Sequence, residues 1–362
     1  MIYSSRPLSG APRHGNALWS AARLYAALER CLFPVAIALI ATTAHASCGS
    51  AFCSVNTNWD TQGLSSDEGL RVDLRYSYAK ADKLRAGTSK ITAETPSGSD
   101  EEIENKRTIN QVLNLDADYT INSRWNVALG VPLVMRDHTH TFDSSISGPY
   151  DQQAKFTELG DIRAVGRYKF DLGSLHSGGG IRFGLKLPTG AINKTMTPPD
   201  PTGDPANPTT PHPLDRGSQP GTGSTDAILG GYYFRMIPGR DWGWFVSGQV
   251  QSAIATRDNF RPGNEVSFDL GTHYALTPSL TALLQLNAQH RERDSGINAN
   301  PASGGYSWNL SPGLSYALTT QTQLYGVVQV ALTQYANTDP AVTGSGQLTA
   351  PRSLAVGISH RY

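Results

Sequence analysis

The chain has 362 residues, and its 30 basic and 30 acidic side chains cancel, so neither net charge nor any basic run points to nucleic acid. An apolar content of 39% and a mean hydropathy of −0.33 exclude a bundle of membrane helices. With 36 Gly and 22 Pro, the composition suits a protein of many turns and strands.

Residues 1–46 carry an export signature. Arg6, Arg13, Arg23 and Arg30 precede the apolar run "CLFPVAIALIATTAHA", which ends in the small-x-small triplet Ala44-His45-Ala46. The run is short for a membrane span, so a cleaved signal peptide is expected. A lipid-attachment reading of Cys48 is disfavoured, because His45-Ala46-Ser47 lacks the aliphatic residue it wants. Residues 47–68 then form a short periplasmic segment containing Cys48 and Cys53. Two nearby cysteines in an exported protein favour a small disulfide loop. No His or third Cys lies close enough to suggest a metal site, and a redox pair usually has two intervening residues rather than four.

From residue 69 onward a period-2 alternation of apolar and polar residues recurs, the mark of strands with one face of each kind. It is seen in "GLRVDLRYSYA" (69–79), "VLNLDADYTI" (112–121), "WNVALGVPLVM" (125–135), "DIRAVGRYKF" (161–170) and "GIRFGLKL" (180–187). "DAILGGYYFRM" (226–236) has an ambiguous register. The pattern resumes in "WGWFVSGQVQSAI" (242–254), "VSFDLGTHYAL" (266–276) and "SLTALLQLNAQH" (279–290). It continues through "YSWNLSPGLSYAL" (306–318), "QLYGVVQVALTQY" (323–335) and "SLAVGISHRY" (353–362). Most of these twelve stretches match the ~9–11 residues that a tilted strand needs to cross a bilayer.

The connections alternate. Short turns at Asn122-Ser123, Asp171–Ser177, Ile237–Asp241, Thr277–Ser279 and Thr319–Gln321 alternate with long polar stretches, among them Lys80–Arg107, Arg136–Leu159 and Pro188–Gly223. Outer-membrane barrels have this rhythm, with short turns in the periplasm and long loops outside. A soluble β-sandwich would also alternate in polarity but predicts no such rhythm. A sheet in lipid must close on itself, so the final strand, ending in Tyr362, is expected to meet the first. The expected fold is all-β: an antiparallel transmembrane β-barrel of about twelve strands over 69–362, in the bacterial outer membrane.

On this reading the polar face lines a lumen. Its candidate residues are Arg71, Asp73, Arg75, Asp116, Asp118, Arg163, Arg167, Arg182, Lys186 and Asp269, with Asp161, Lys169 and Glu265 beside them. Twelve strands fall between small filled barrels and wide open ones.

"ELGDIRAVGRYKF" (158–170), "GIRFGLKLPTG" (180–190) and "GSQPGTGSTDAILGGYYF" (217–234) resemble the outer-membrane barrels of the MetA-pathway of phenol degradation family. The resemblance implies an outer-membrane transporter-like barrel, a conduit for small, often aromatic or hydrophobic, compounds. It brings no defined set of functional residues. The expected partners are outer-membrane lipids, the barrel-assembly machinery and a small-molecule permeant.

Little else suggests chemistry. "DHTHTFDSS" (Asp137–Ser145) reads as an external loop with His138, His140, Asp143, Ser144 and Ser145, but no Gly-x-Ser-x-Gly elbow accompanies it. Two histidines on a loop offer too few ligands for a metal site. "PGTGST" (220–225) lacks the Lys-Ser/Thr ending of a phosphate loop, and its glycines suit tight turns. The Pro-rich "TPPDPTGDPANPTTPHP" (197–213) should be extended, either over the mouth or away from it. No catalytic residue, cofactor or metal is expected. The rival functions are a non-conducting structural or adhesion barrel, and a barrel hydrolase using His138–Ser145.

Overall fold

A computed structural model describes residues 57–58, 61–63, 68–98, 100–199, 211–341 and 345–362. The expected signal peptide and the Cys48/Cys53 pair lie outside these residues.

A 13-stranded antiparallel sheet closes on itself, and two of its segments are halves of one strand, so the barrel has twelve strands. In chain order these are β1 (Gly69–Ala81), β2 (Glu101–Thr120), β3 (Trp125–Ser144) and β4 (Gly148–Leu159 with Arg163–Phe170). Next come β5 (Ser177–Lys186), β6 (Thr225–Met236), β7 (Trp242–Ala255) and β8 (Glu265–Ala275). The last four are β9 (Leu280–Arg291), β10 (Gly305–Ala317), β11 (Thr322–Ala336) and β12 (Arg352–Arg361). Each strand pairs with its sequence neighbour, and β12 pairs with β1 from Arg71↔Arg361 to Ala79↔Ser353. The Tyr362 N–H continues that seam by donating to the Leu70 carbonyl at 2.9 Å. No strand edge is left for lipid to satisfy.

The outer face is apolar and exposed. Leu74, Leu115, Leu129, Leu270, Leu284 and Val356 each stand 40–47% accessible, whereas inward residues such as Asp73, Asn126, Asp269 and Gln285 are polar and buried. At the short-turn end this belt becomes aromatic, with Tyr119, Trp125, Phe170, Trp242, Tyr274 and Tyr316 all exposed beside the turns. Such a girdle sits at a membrane interface. Mean hydropathy stays low because much of the inward face is polar.

The structure corrects one expected loop and resolves one open register. Arg136–Leu159 is not a loop: β3 runs on to Ser144, turns at 145–147, and returns as the first half of β4. At 20 residues each, β2 and β3 exceed what a bilayer needs, and their outer ends carry Asp137, Thr139, Asp151 and Lys155 facing outward. Both faces there are wet or packed under a loop, so no apolar alternation marks the strands. The stretch 226–236, whose register the sequence leaves open, turns Asp226, Ile228 and Phe234 inward, all buried, while Leu229 is 62% exposed.

Candidate functional site: the lumen and its closures

Parity along each strand sets which side chains face inward. On β1, Arg71, Asp73 and Arg75 lie opposite the exposed Leu74; on β2, Asp116 and Asp118 lie opposite Leu115 and Tyr119. Arg163 and Arg167 of β4 pair with Lys186 and Arg182 of β5. Asp269 of β8 pairs with Asn287 of β9.

The two sides of the lumen differ. On the β7–β12 side the inward residues are mostly small or neutral, and they join in a hydrogen-bonded belt. Ser247 Oγ and Asn287 Nδ2 donate to the two oxygens of Asp269 at 2.9 and 2.7 Å. Ser311 Oγ donates to Asn287 Oδ1 at 2.6 Å, Gln329 Nε2 to Ser311 Oγ at 3.2 Å, and Ser353 Oγ to Gln329 Oε1 at 3.3 Å. The belt thus crosses six strands, and Ser247, Asp269, Asn287, Ser311 and Gln329 are buried. Close contact is secured by glycine: a Cβ on Gly357 would meet the Tyr325 ring at 2.4 Å, and that ring's hydroxyl donates to Asp73 Oδ1 at 2.7 Å.

The β1–β2–β4–β5 side is wetter and charged. Arg71, Arg75, Asp116, Asp118 and Arg182 are partly accessible and Arg163 is exposed. Arg167 is buried in a tight ion pair with Asp118, and its Nε donates to Asn126 Oδ1 at 2.9 Å. Lys186 does not line open space. It is buried 3.2 Å from Asp161 and 3.0 Å from Asp226.

Asp161 draws together the three stretches on which the family resemblance rests. It accepts from the Gly190 N–H at 3.0 Å, and from the Thr222 N–H and hydroxyl at 2.9 Å each. Thr189 Oγ1 donates to the Gly160 carbonyl and accepts from the Ile162 N–H, both at 2.9 Å. These bonds hold the break at 160–162 where β4 changes parity and where the long connection returns to β6. "PGTGST" is therefore part of this knot, with Thr222 and Ser224 turned toward Lys186.

The ordered end of that connection crosses the outer mouth. Leu214 packs with Met196 on Ala154 of β4, and Arg136 of β3 donates to the Ser218 carbonyl. On the far side Asn300 Nδ2 donates to Asp215 at 2.7 Å, while Arg216 reaches Asp258 and lies over the Phe260 ring. Burial, with the charge of Glu102 adding to it, pushes the Asp215 carboxyl up to about 6. Of the Pro-rich stretch 197–213, residues 200–210 lie outside the described residues.

A second closure comes from the N-terminal side, and the sequence analysis did not foresee it. Arg75 donates to Thr57 Oγ1, Thr61 and Gln62 are fully buried, and Asn58 closes a turn onto Thr61. Gly63, at φ +76°, lies so close to Phe234 that a Cβ would sit 2.4 Å from its ring. Arg75 and Phe234 both face inward, so this short turn occupies the lumen toward its periplasmic end.

The fold is that of an outer-membrane β-barrel. The chain is similar to the crystal structure of an outer membrane channel from Pseudomonas putida F1, with a TM-score of 0.59 and 14% identity over 85% of this chain and 100% of that one. The toluene transporter TodX of Pseudomonas putida matches with a TM-score of 0.45 and 11% identity, over 88% of this chain and 96% of that one. The translocator domain of the autotransporter NalP from Neisseria meningitidis gives 0.39 and 12%, over 83% and 91%. No protein-family model matches the chain, and no curated protein matches it in sequence.

His138 and His140, placed on a loop by the sequence reading, stand on β3 with both rings inward and buried. Asp143 and Ser144 bond to loop backbone instead of to a histidine: Asp143 accepts from the Ser97 and Gly98 N–H groups, and Ser144 from those of Ile146 and Ser147. No nucleophile–base pair forms among these residues.

Proposed function

We propose that this protein is a passive conduit for small molecules across the bacterial outer membrane, held closed in the state described. The observation that carries the reading is the asymmetry of the lumen. One wall is dry and cross-linked, while the other keeps a charged, water-accessible stripe of Arg71, Arg75, Asp116, Arg163 and Arg182. A merely structural barrel has no need of a solvated stripe, since side chains can fill a small barrel's interior. Asp116 feels the charges of both Arg75 and Arg163, so the stripe is mixed in sign with basic residues in excess.

The resemblance of 158–170, 180–190 and 217–234 to the phenol-degradation family supports small, including aromatic, permeants and membership of that transporter-like group. The Asp161 knot gives those residues a structural role in forming the rim. The hydrolase alternative is disfavoured by Asp143 and Ser144 bonding away from the histidines.

The test is planar-bilayer conductance of the mature protein beside a variant lacking residues 47–67. Steps that become larger or more frequent in the variant would support a conduit closed by the N-terminal turn. Absence of channels from both proteins, each shown to be folded by its heat-shifted gel mobility, would sink the reading in favour of a structural barrel.

A further inference from the structure

We propose that the outer mouth holds a site for one divalent transition-metal ion of borderline softness, such as Zn²⁺, Co²⁺ or Ni²⁺, bound by His138, His140 and Glu104. His138 and His140 are two apart on β3, so both point inward, and the β2 irregularity between Ile103 and Arg107 brings Glu104 against them. His138 Nε2 lies 3.2 Å from His140 Nδ1 and 3.7 Å from Glu104 Oε1. One ligand atom from each residue lies within 4.8 Å of the others. Tetrahedral bonds of 2.0–2.2 Å set donors about 3.3 Å apart, so the three need only small rotamer shifts to close on an ion.

The surroundings suit that role. His138 Nδ1 is 2.8 Å from Thr108 Oγ1, and His140 Nε2 is 3.0 Å from Gln152 Oε1. Each imidazole thus has its outer nitrogen engaged by a neutral partner and its inner nitrogen turned to the shared point, the orientation that outer-shell bonds give to metal-bound histidines. Gln152 Oε1 can only accept, so His140 carries its proton on Nε2 and offers the Nδ1 lone pair. In the metal-free protein the His138 Nε2–H donates into that lone pair and Nδ1 accepts from the Thr108 hydroxyl. On binding, the ring takes its other tautomer, the single proton moving from Nε2 to Nδ1 through solvent, so that Nε2 offers its lone pair to the ion and Nδ1–H donates to Thr108 Oγ1. Glu104 Oε2 is buried without a hydrogen-bond partner, a carboxylate oxygen left over beside two imidazoles. Glu102, with Oε1 3.9 Å from His140 Nε2 and 2.9 Å from His212 Nδ1, joins this cluster to the loop over the mouth. Water would complete the coordination. The paired nitrogen ligands favour these metals over Ca²⁺ or Mg²⁺, which take oxygen.

The test uses the untagged mature protein in detergent, stripped with EDTA and titrated with Co²⁺, followed by its visible absorption and by competition with Zn²⁺. Saturable binding of one equivalent is expected, weakened at least tenfold in His138→Ala, His140→Ala and Glu104→Gln and unchanged in His176→Ala, whose side chain lies in a distant turn. Heat-shifted gel mobility identifies folded variants; Glu104→Gln keeps the shape of the native side chain and serves if a histidine variant fails to fold. No saturable binding by the wild type overturns the proposal, as does equal affinity in the folded ligand variants, which would place the ion elsewhere.

Discussion

Lys186 Nζ lies 3.2 Å from Asp161 Oδ2, and both side chains are buried at the outer rim where β4 breaks and β5 ends. The lysine also meets Asp226, so a single cation holds two carboxylates from strands on either side of it. Removing one partner of a buried pair costs about 3–5 kcal/mol, because the remaining charge stays uncompensated. Lys186→Met strands two such charges and should lower the midpoint of urea unfolding in detergent clearly. Asp161→Asn keeps one oxygen, which can still accept from Thr222 while the bond from the Gly190 N–H is lost, and leaves only a neutral amide beside Lys186, so it should cost less. Equal, negligible effects of both would show that the knot does not organise the rim.

Leu284 and Gln285 give a sharper test of the two faces. Leu284 is 43% exposed on the outer belt, and an arginine there should destabilise by roughly 2–4 kcal/mol near mid-bilayer. Sequence reasoning expects the adjacent Gln285→Arg to be mild, since its side chain points inward. Gln285 is only 1% exposed within the dry wall, however, so the longer cation must displace the Asn287 amide that donates to it. Both variants should therefore unfold at lower urea, whereas Arg163→Gln, on the wet wall, should stay within about 0.5 kcal/mol of wild type. A harmless Gln285→Arg would mean that the wall is more open than this packing allows.

The contrast between these neighbours shows what alternation can and cannot reveal. A period of two identifies strand and face, because lipid demands apolar side chains on one side of every residue pair. It says nothing of whether an inward polar residue meets water or another strand; that depends on partners such as Asn287 and Asp269, far apart in sequence. The outer half of the β3–β4 hairpin escaped notice for a related reason. Above the membrane its outward side chains are Asp137, Thr139 and Asp151, so no apolar face announces a strand. His138 and His140 consequently read as loop residues, and Glu104 drew no notice, 34 positions before His138. The turn at 61–63 left only a weak signal, the Gly63 that its positive φ and the Phe234 contact require.

Cys48 and Cys53 test the compartment. If the chain is exported and closes this short loop, mature protein purified without reductant should give no reaction with a thiol reagent until it is unfolded and reduced. Prompt labelling of the native protein would defeat the disulfide.

Selectivity depends on the wet wall. Arg167 and Arg182 face each other across β4 and β5, and Arg163 lies four residues along the same inward face. Their charges stand in a confined space where screening by salt is weak, so they should govern which ions pass. Replacing all three with Gln removes three positive charges from the lumen wall and leaves Arg71 and Arg75 balanced by Asp116 and Asp118, so the basic excess is lost. Arg167 is tied to Asp118, so part of the change comes from freeing that carboxylate. Both effects have the same sign: the reversal potential in a salt gradient should move toward that of a cation-selective channel. The comparison is best made in the variant lacking residues 47–67, so that the Thr57 contact with Arg75 does not limit the current. An unchanged reversal potential, with conductance intact, would show that ions do not pass along this wall and that the permeation route lies elsewhere.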